Sequence, residues 1–177
     1  VDLIAKALAI NPDLAEAHSN LGLALRDLGK LEEAMASYRT VLAIKPDLAE
    51  AHNNLGIVLH DLGKPDDAVT SYRKALDLKP DYVDVQINLG NALQDLGKPE
   101  DAVACYRKAL DLKPDYALAH SNLGNVLRDL GKPEDAVASC RNRLSVTRLL
   151  LLEQPVTHQK GDAGLAYFDQ RNHGHAS

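Results

Sequence analysis

Apolar residues recur along this chain with the spacing of helices, and the helical stretches themselves recur every 34 residues. In residues 49–82 the apolar positions Ala51, Leu55, Val58, Leu59 and Leu62 follow the 3.6-residue period of a helix with one buried face. Gly63 offers the left-handed residue that ends such a helix. Pro65 suits the first turn of a second helix, where its missing N–H is no loss, and Asp66 and Asp67 meet the positive end of the helix dipole. Ala68, Val69, Tyr72, Ala75, Leu76 and Leu78 carry the second apolar face, and Pro80 stops it. Asp47 is positioned to N-cap the first helix, with Glu50 completing a capping box. The unit is a helical hairpin.

The hairpin repeats down the chain. Pro12, Pro46, Pro80 and Pro114 mark one 34-residue series, and the Asn-Leu-Gly strings beginning at Asn20, Asn54, Asn88 and Asn122 mark another. Asp-Leu-Gly-Lys begins at Asp27, Asp61, Asp95 and Asp129, and residues 49–82 match residues 83–116 at 23 of 34 positions. One hairpin has too little core to stand alone, so neighbours must stack. The expectation is an all-α fold: a right-handed superhelix, or α-solenoid, of antiparallel helix pairs spanning 1–154. Its parts are a half unit at 1–14, units at 15–48, 49–82 and 83–116, and a degenerate unit at 117–150 with an extended last helix. A poorly ordered tail is expected at 155–177.

The pattern resembles the tetratricopeptide repeat, with Leu21, Gly22, Ala34, Tyr38 and Pro46 at its small and apolar positions. The large aromatic usual in the first helix is replaced by His18, His52, Gln86 and His120. With the H-S-N-L-G and H-N-N-L-G strings, that departure is most similar to the arrays of O-GlcNAc-transferase-type proteins. The resemblance implies a concave inner surface lined by the first helix of each hairpin. It also implies that asparagines at Asn20, Asn54, Asn88 and Asn122 hold the backbone of an extended peptide.

The residues themselves support such a groove. Leu21, Gly22, His18 and Leu25 serve packing, while Glu16, Ser19, Asn20, Leu23 and Asp27 share the other face of the same helix. An amide both donates and accepts, so the asparagine ladder can pair with backbone without reading side chains. Its alternative role is to bond neighbouring helices. Glu16, Glu50 and Asp84 form a second ladder, broken at Leu118, that favours neutral or basic partners. Tyr38, Tyr72 and Tyr106 are expected in the core, and Arg39, Arg73 and Arg107 on a solvated outer stripe.

Composition narrows the function further. A formal charge of −5 and 45% hydrophobic content describe a folded chain without the clustered cations that nucleic acid requires. Nothing approaches the roughly 20 apolar residues of a membrane span. Cys105 and Cys140 suit reduced, cytoplasmic thiols, and His158, His173 and His175 lack metal-ligand spacing. No catalytic constellation and no cofactor site is present in the pattern, so the chain reads as a binding scaffold for a protein or peptide. Two alternatives stand beside that reading. One is self-assembly through exposed repeat ends, the other a substrate-recruiting fragment of a glycosyltransferase that lacks its catalytic domain.

In the last unit Cys140 replaces the core Tyr, Arg143 a small Ala and Arg148 the closing Pro. The final helix is therefore expected to run on to about Gln154.

Overall fold

The computed structural model describes residues 14–139, together with residue 4 and residues 8–11. Seven helices have described bounds: α1 (Ala15–Asp27), α2 (Leu31–Ile44), α3 (Ala49–Asp61), α4 (Pro65–Leu78), α5 (Val83–Asp95), α6 (Pro99–Leu112) and α7 (Ala117–Asp129). Residues 133–139 are also helical. Each helix packs on its sequence neighbours, so the pairs α1–α2, α3–α4 and α5–α6 stack into a right-handed solenoid. The extended last helix and the tail, with Cys140 and Arg143, lie outside the described residues, as does most of the half unit at 1–14.

Local chemistry explains the hairpin turn. At Gly63 φ is +70°, a conformation open to glycine at no steric cost. The Gly63 N–H reaches His60 O at 2.9 Å, and the Lys64 N–H reaches Leu59 O at 2.9 Å, a Schellman pair that satisfies two end carbonyls. Pro65 then opens α4 at its first position.

The capping-box expectation fails. Helix α3 starts at Ala49 with Leu48 as its N-cap, and no side chain caps it. Asp47 therefore sits one residue too early for its carboxylate to meet the free N–H groups of the first turn. Leu48 and Tyr82, or Tyr116 in the next unit, occupy the cap position instead.

The core is assembled from small residues and one aromatic per unit. Tyr38, Tyr72 and Tyr106 are each at most 1% exposed, and Ala34, Ala68 and Ala102 are fully buried beside them. Each tyrosine ring lies flat against a first-helix glycine. A Cβ built on Gly56 would fall 2.5 Å from Tyr72 Cε1, and one on Gly90 would fall 2.5 Å from Tyr106 Cε1. The glycines let the two helices of a pair close on a ring. Arg39, Arg73 and Arg107 are exposed on the second helices, as the outer-stripe reading requires.

His52 and His120 also follow expectation, as bonded packing residues. In each, Nε2 donates to a proline carbonyl six residues back, Pro46 O or Pro114 O, at 2.8 Å. A carbonyl only accepts, so each ring is fixed with its proton on Nε2. The imidazole thereby ties the first helix of a unit to the turn that leads into it.

Candidate binding groove

Helices α1, α3, α5 and α7 carry the predicted ladder residues, and side-chain bonds join some of them to neighbouring first helices. Asn88 on α5 donates to Asn53 Oδ1 on α3 at 3.1 Å. Asn53 in turn points its amide at Asn54 Oδ1, 3.4 Å away. Asn122 on α7 donates to Asn91 Oδ1 on α5 at 3.0 Å. Ladder members thus bond adjacent first helices, through Asn53 in one junction and Asn91 in the next. Each bond uses one N–H of an amide that has two donors and two acceptor sites, so capacity remains. Asn20 is exposed, whereas Asn54, Asn88 and Asn122 are half-buried.

A second layer lies beneath the amides. Tyr106 Oη sits 2.7 Å from Asn91 Oδ1 and 2.6 Å from Gln94 Oε1. One hydroxyl proton serves one acceptor, so the second contact is made by turning the Gln94 amide to donate. Burial holds the Tyr106 hydroxyl well above the usual phenol range. Tyr38 occupies the same repeat position two units earlier, and its Oη finds no hydrogen-bond partner among the described residues. The reason is in the sequence: Leu23 and Arg26 stand where Asn91 and Gln94 stand in the third unit.

The acidic ladder is present but more engaged than the sequence suggested. Glu50 lies 4.0 Å from Lys79 Nζ, and that ammonium sits 4.6 Å above the Tyr82 ring. Lys79 reaches back to this ladder from the following inter-unit turn. Asp84 accepts a 2.6 Å hydrogen bond from Tyr116 Oη, whose ring carries Lys113 at 4.9 Å. Glu16 is exposed. Lower on the same faces, His60 Nε2 meets Asp95 Oδ2 at 2.6 Å and links α3 to α5. Ile87 and Asn53, which share the inner-face register, are 2% and 6% exposed and so belong to the seam between first helices.

The Tyr116 bond makes a measurable prediction. The hydrogen bond to Asp84 comes first and burial second in pushing the Tyr116 phenol up to about 12. A raised folded-state value contributes stability that is complete below the ordinary phenol value near 10 and is lost as pH rises through about 12. Asp84→Asn is expected to lower the Tyr116 midpoint, followed by phenolate absorbance. An unchanged titration would show that the carboxylate does not hold this proton.

Sequence reasoning missed Asn53, Asn91, Gln94 and His60 as groove-forming partners. For Asn91 and Gln94 a signal was available: Asn91 stands three residues after Asn88 and Gln94 three after Asn91, which puts them on one helix face.

Profiles described as TPR repeat match residues 22–63, 58–97 and 90–131, and others described as tetratricopeptide repeat match 3–36 and 119–154. The chain belongs to the tetratricopeptide-repeat family. Its fold is similar to crystal structures of MamA: one is 23% identical with a TM-score of 0.80 and covers 84% of this chain and 87% of that one. MamA 41-end from Desulfovibrio magneticus RS-1 is 20% identical at a TM-score of 0.77, with 82% of each chain covered. The first TPR of Spaghetti (RPAP3), bound to the HSP90 peptide SRMEEVD, is 24% identical at a TM-score of 0.65, covering 66% of this chain and 93% of that one. No curated protein sequence matches the chain. Among the described residues no helix is long and apolar enough to cross a membrane.

Proposed function

We propose that the array, with working units at 15–48, 49–82, 83–116 and 117–150, is a scaffold that holds an extended protein segment in its inner groove. The family and its structural neighbours support a protein-interaction scaffold at that coarse level. The observation that carries the finer reading is the row of inner-face amides with hydrogen-bonding capacity to spare, at Asn20, Asn54, Asn88 and Asn122. Such a row grips backbone irrespective of side chain, the role that the resemblance to O-GlcNAc-transferase-type arrays implies.

Charge gives the groove a preference. The peptide held by the RPAP3 repeat is acidic, whereas Glu16, Glu50 and Asp84 face a ligand here. This groove prefers neutral or basic segments. Half-buried Cys105 has its thiol pushed up to about 11 by burial, away from reactive thiolate, and the reading places the scaffold in the cytoplasm.

The test uses the ladder members least committed to their neighbours. A partner captured by the full chain is expected to bind Asn20→Ala/Asn54→Ala more weakly, by about 0.5–1.5 kcal/mol for each lost bond, with melting nearly unchanged. Asn88 is the poorer choice, since its loss removes a 3.1 Å bond to buried Asn53, whereas Asn54→Ala removes only the longer 3.4 Å contact from the same amide. Full affinity in the double variant would assign the asparagines to the stack alone. Light scattering separates the scaffold from a self-assembling array, which would grow with concentration.

A further inference from the structure

The inner face is not uniform along the array. In the third and fourth units the position between the asparagine ladder and the terminal aspartates holds an amide, Asn91 or Asn125. In the first two units it holds Leu23 and Ile57. Leu23 is 45% exposed, and Ile57 is half-buried beside the core. Leu23 is only partly buried by the fold, and it leaves the fully buried Tyr38 hydroxyl without the partner that Asn91 supplies to Tyr106. A residue that costs the fold a hydrogen bond and displays its side chain is better placed to meet a ligand than to stabilise the solenoid.

The charge around this strip is predominantly negative. One turn further along the same helices stand Asp27 and Asp61, both exposed, and two turns back stand Glu16 and Glu50. Among the described residues two cations pair with these four carboxylates, Arg26 at 3.6 Å from Asp27 and Lys79 at 4.0 Å from Glu50. His60 of the same face is taken up by Asp95.

We propose that the first two units form an anchor subsite in the groove, which takes one apolar side chain at Leu23 and Ile57 from a segment with lysine or arginine on either side. The proposal rests on the groove reading above and adds to it a position, a polarity and a partner chemistry. The anchor lies at the N-terminal end of the array, and the remaining segment runs over the amides of the third and fourth units. Neighbouring first helices lie about 10 Å apart. Four units thus accommodate roughly nine extended residues at about 3.3 Å each.

The test is a titration of the isotope-labelled full chain, followed by NMR, with three Gly/Ser peptides of about that length. Their central residues are Lys-Leu-Lys, Lys-Ser-Lys and Glu-Leu-Glu. The Lys-Leu-Lys peptide is expected to bind about tenfold tighter than Lys-Ser-Lys, the scale of burying one leucine. Its shifts should centre on the inner faces of α1 and α3. Leu23→Ser should remove that tenfold advantage, whereas Asp61→Asn should weaken both lysine peptides alike. Equal affinity for Lys-Leu-Lys and Lys-Ser-Lys, or tighter binding of Glu-Leu-Glu, would overturn the anchor and leave the groove reading standing. Shifts confined to the outer helices, or no binding of any of the three, would overturn both.

Discussion

Gly90→Ala is expected to destabilise the array by about 2 kcal/mol, although it places the best helix former inside a helix. Propensity alone predicts the opposite sign, a gain of about 0.8–1.0 kcal/mol. The clash decides the outcome. The new methyl would sit 2.5 Å from Tyr106 Cε1, roughly 1 Å inside ordinary contact, and the fully buried ring has nowhere to turn. Helices α5 and α6 must therefore separate. Gly56→Ala against Tyr72 should behave alike, and Gly22→Ala should cost less, because its nearest ring atom is 2.8 Å away. Urea midpoints give the energies. A double-mutant cycle with Tyr106→Leu should then recover part of the loss, since the smaller side chain relieves the crowding. A stabilised Gly90→Ala protein would mean that the pair of helices is looser than the packing described.

Two tyrosines at the same repeat position are expected to respond differently to loss of one oxygen. Tyr106→Phe removes a hydroxyl held at 2.7 Å by Asn91 and at 2.6 Å by Gln94, and should cost about 1–2 kcal/mol. Tyr38→Phe removes a buried hydroxyl with no partner among the described residues, and should be neutral or stabilising by up to about 1 kcal/mol. The comparison is internally controlled, because ring, burial and neighbouring glycine are shared. Denaturation of the two variants side by side measures the difference. If both lose the same stability, the amides over Tyr106 do not distinguish the units. Leu23→Asn offers the converse: it should supply Tyr38 with its missing partner.

The helices were legible in the sequence because their signals are local and are repeated four times. Gly63 at +70° and Pro65 at the first position of α4 are backbone requirements that a reader can locate without coordinates. The core tyrosines were legible for the same reason, as one residue type recurring on one face. The capping box at Asp47 failed because a one-residue offset at a helix start decides whether a carboxylate can reach the free N–H groups. The groove was half legible. Spacing identified the face that carries Asn20, Asn54, Asn88 and Asn122, but not who bonds whom. Asn88 reaches back 35 residues to Asn53, while Asn122 reaches back 31 to Asn91. That change of register depends on which side chain the preceding helix offers at each place, and no period can encode it. Lys79 was overlooked beside Glu50 because it belongs to the turn of one unit and the face of another.

Those cross-links bear on how fast the chain finds its structure. The ring-on-glycine contact joins residues 16 apart, from Gly56 to Tyr72 or from Gly90 to Tyr106. Among the side-chain bonds described, the longest reach is 35 residues, in Asn88 to Asn53 and in His60 to Asp95. No contact of that kind requires closing a loop longer than about one hairpin, and loop-closure entropy is what slows folds whose partners are far apart in sequence. Ordering can begin at any hairpin and spread to the next, each new unit landing on a finished surface. Folding in the microsecond-to-millisecond range follows from that local wiring, as for other helical chains of low contact order. Lengthening the array with further copies of residues 49–82 should add stability without lengthening the search.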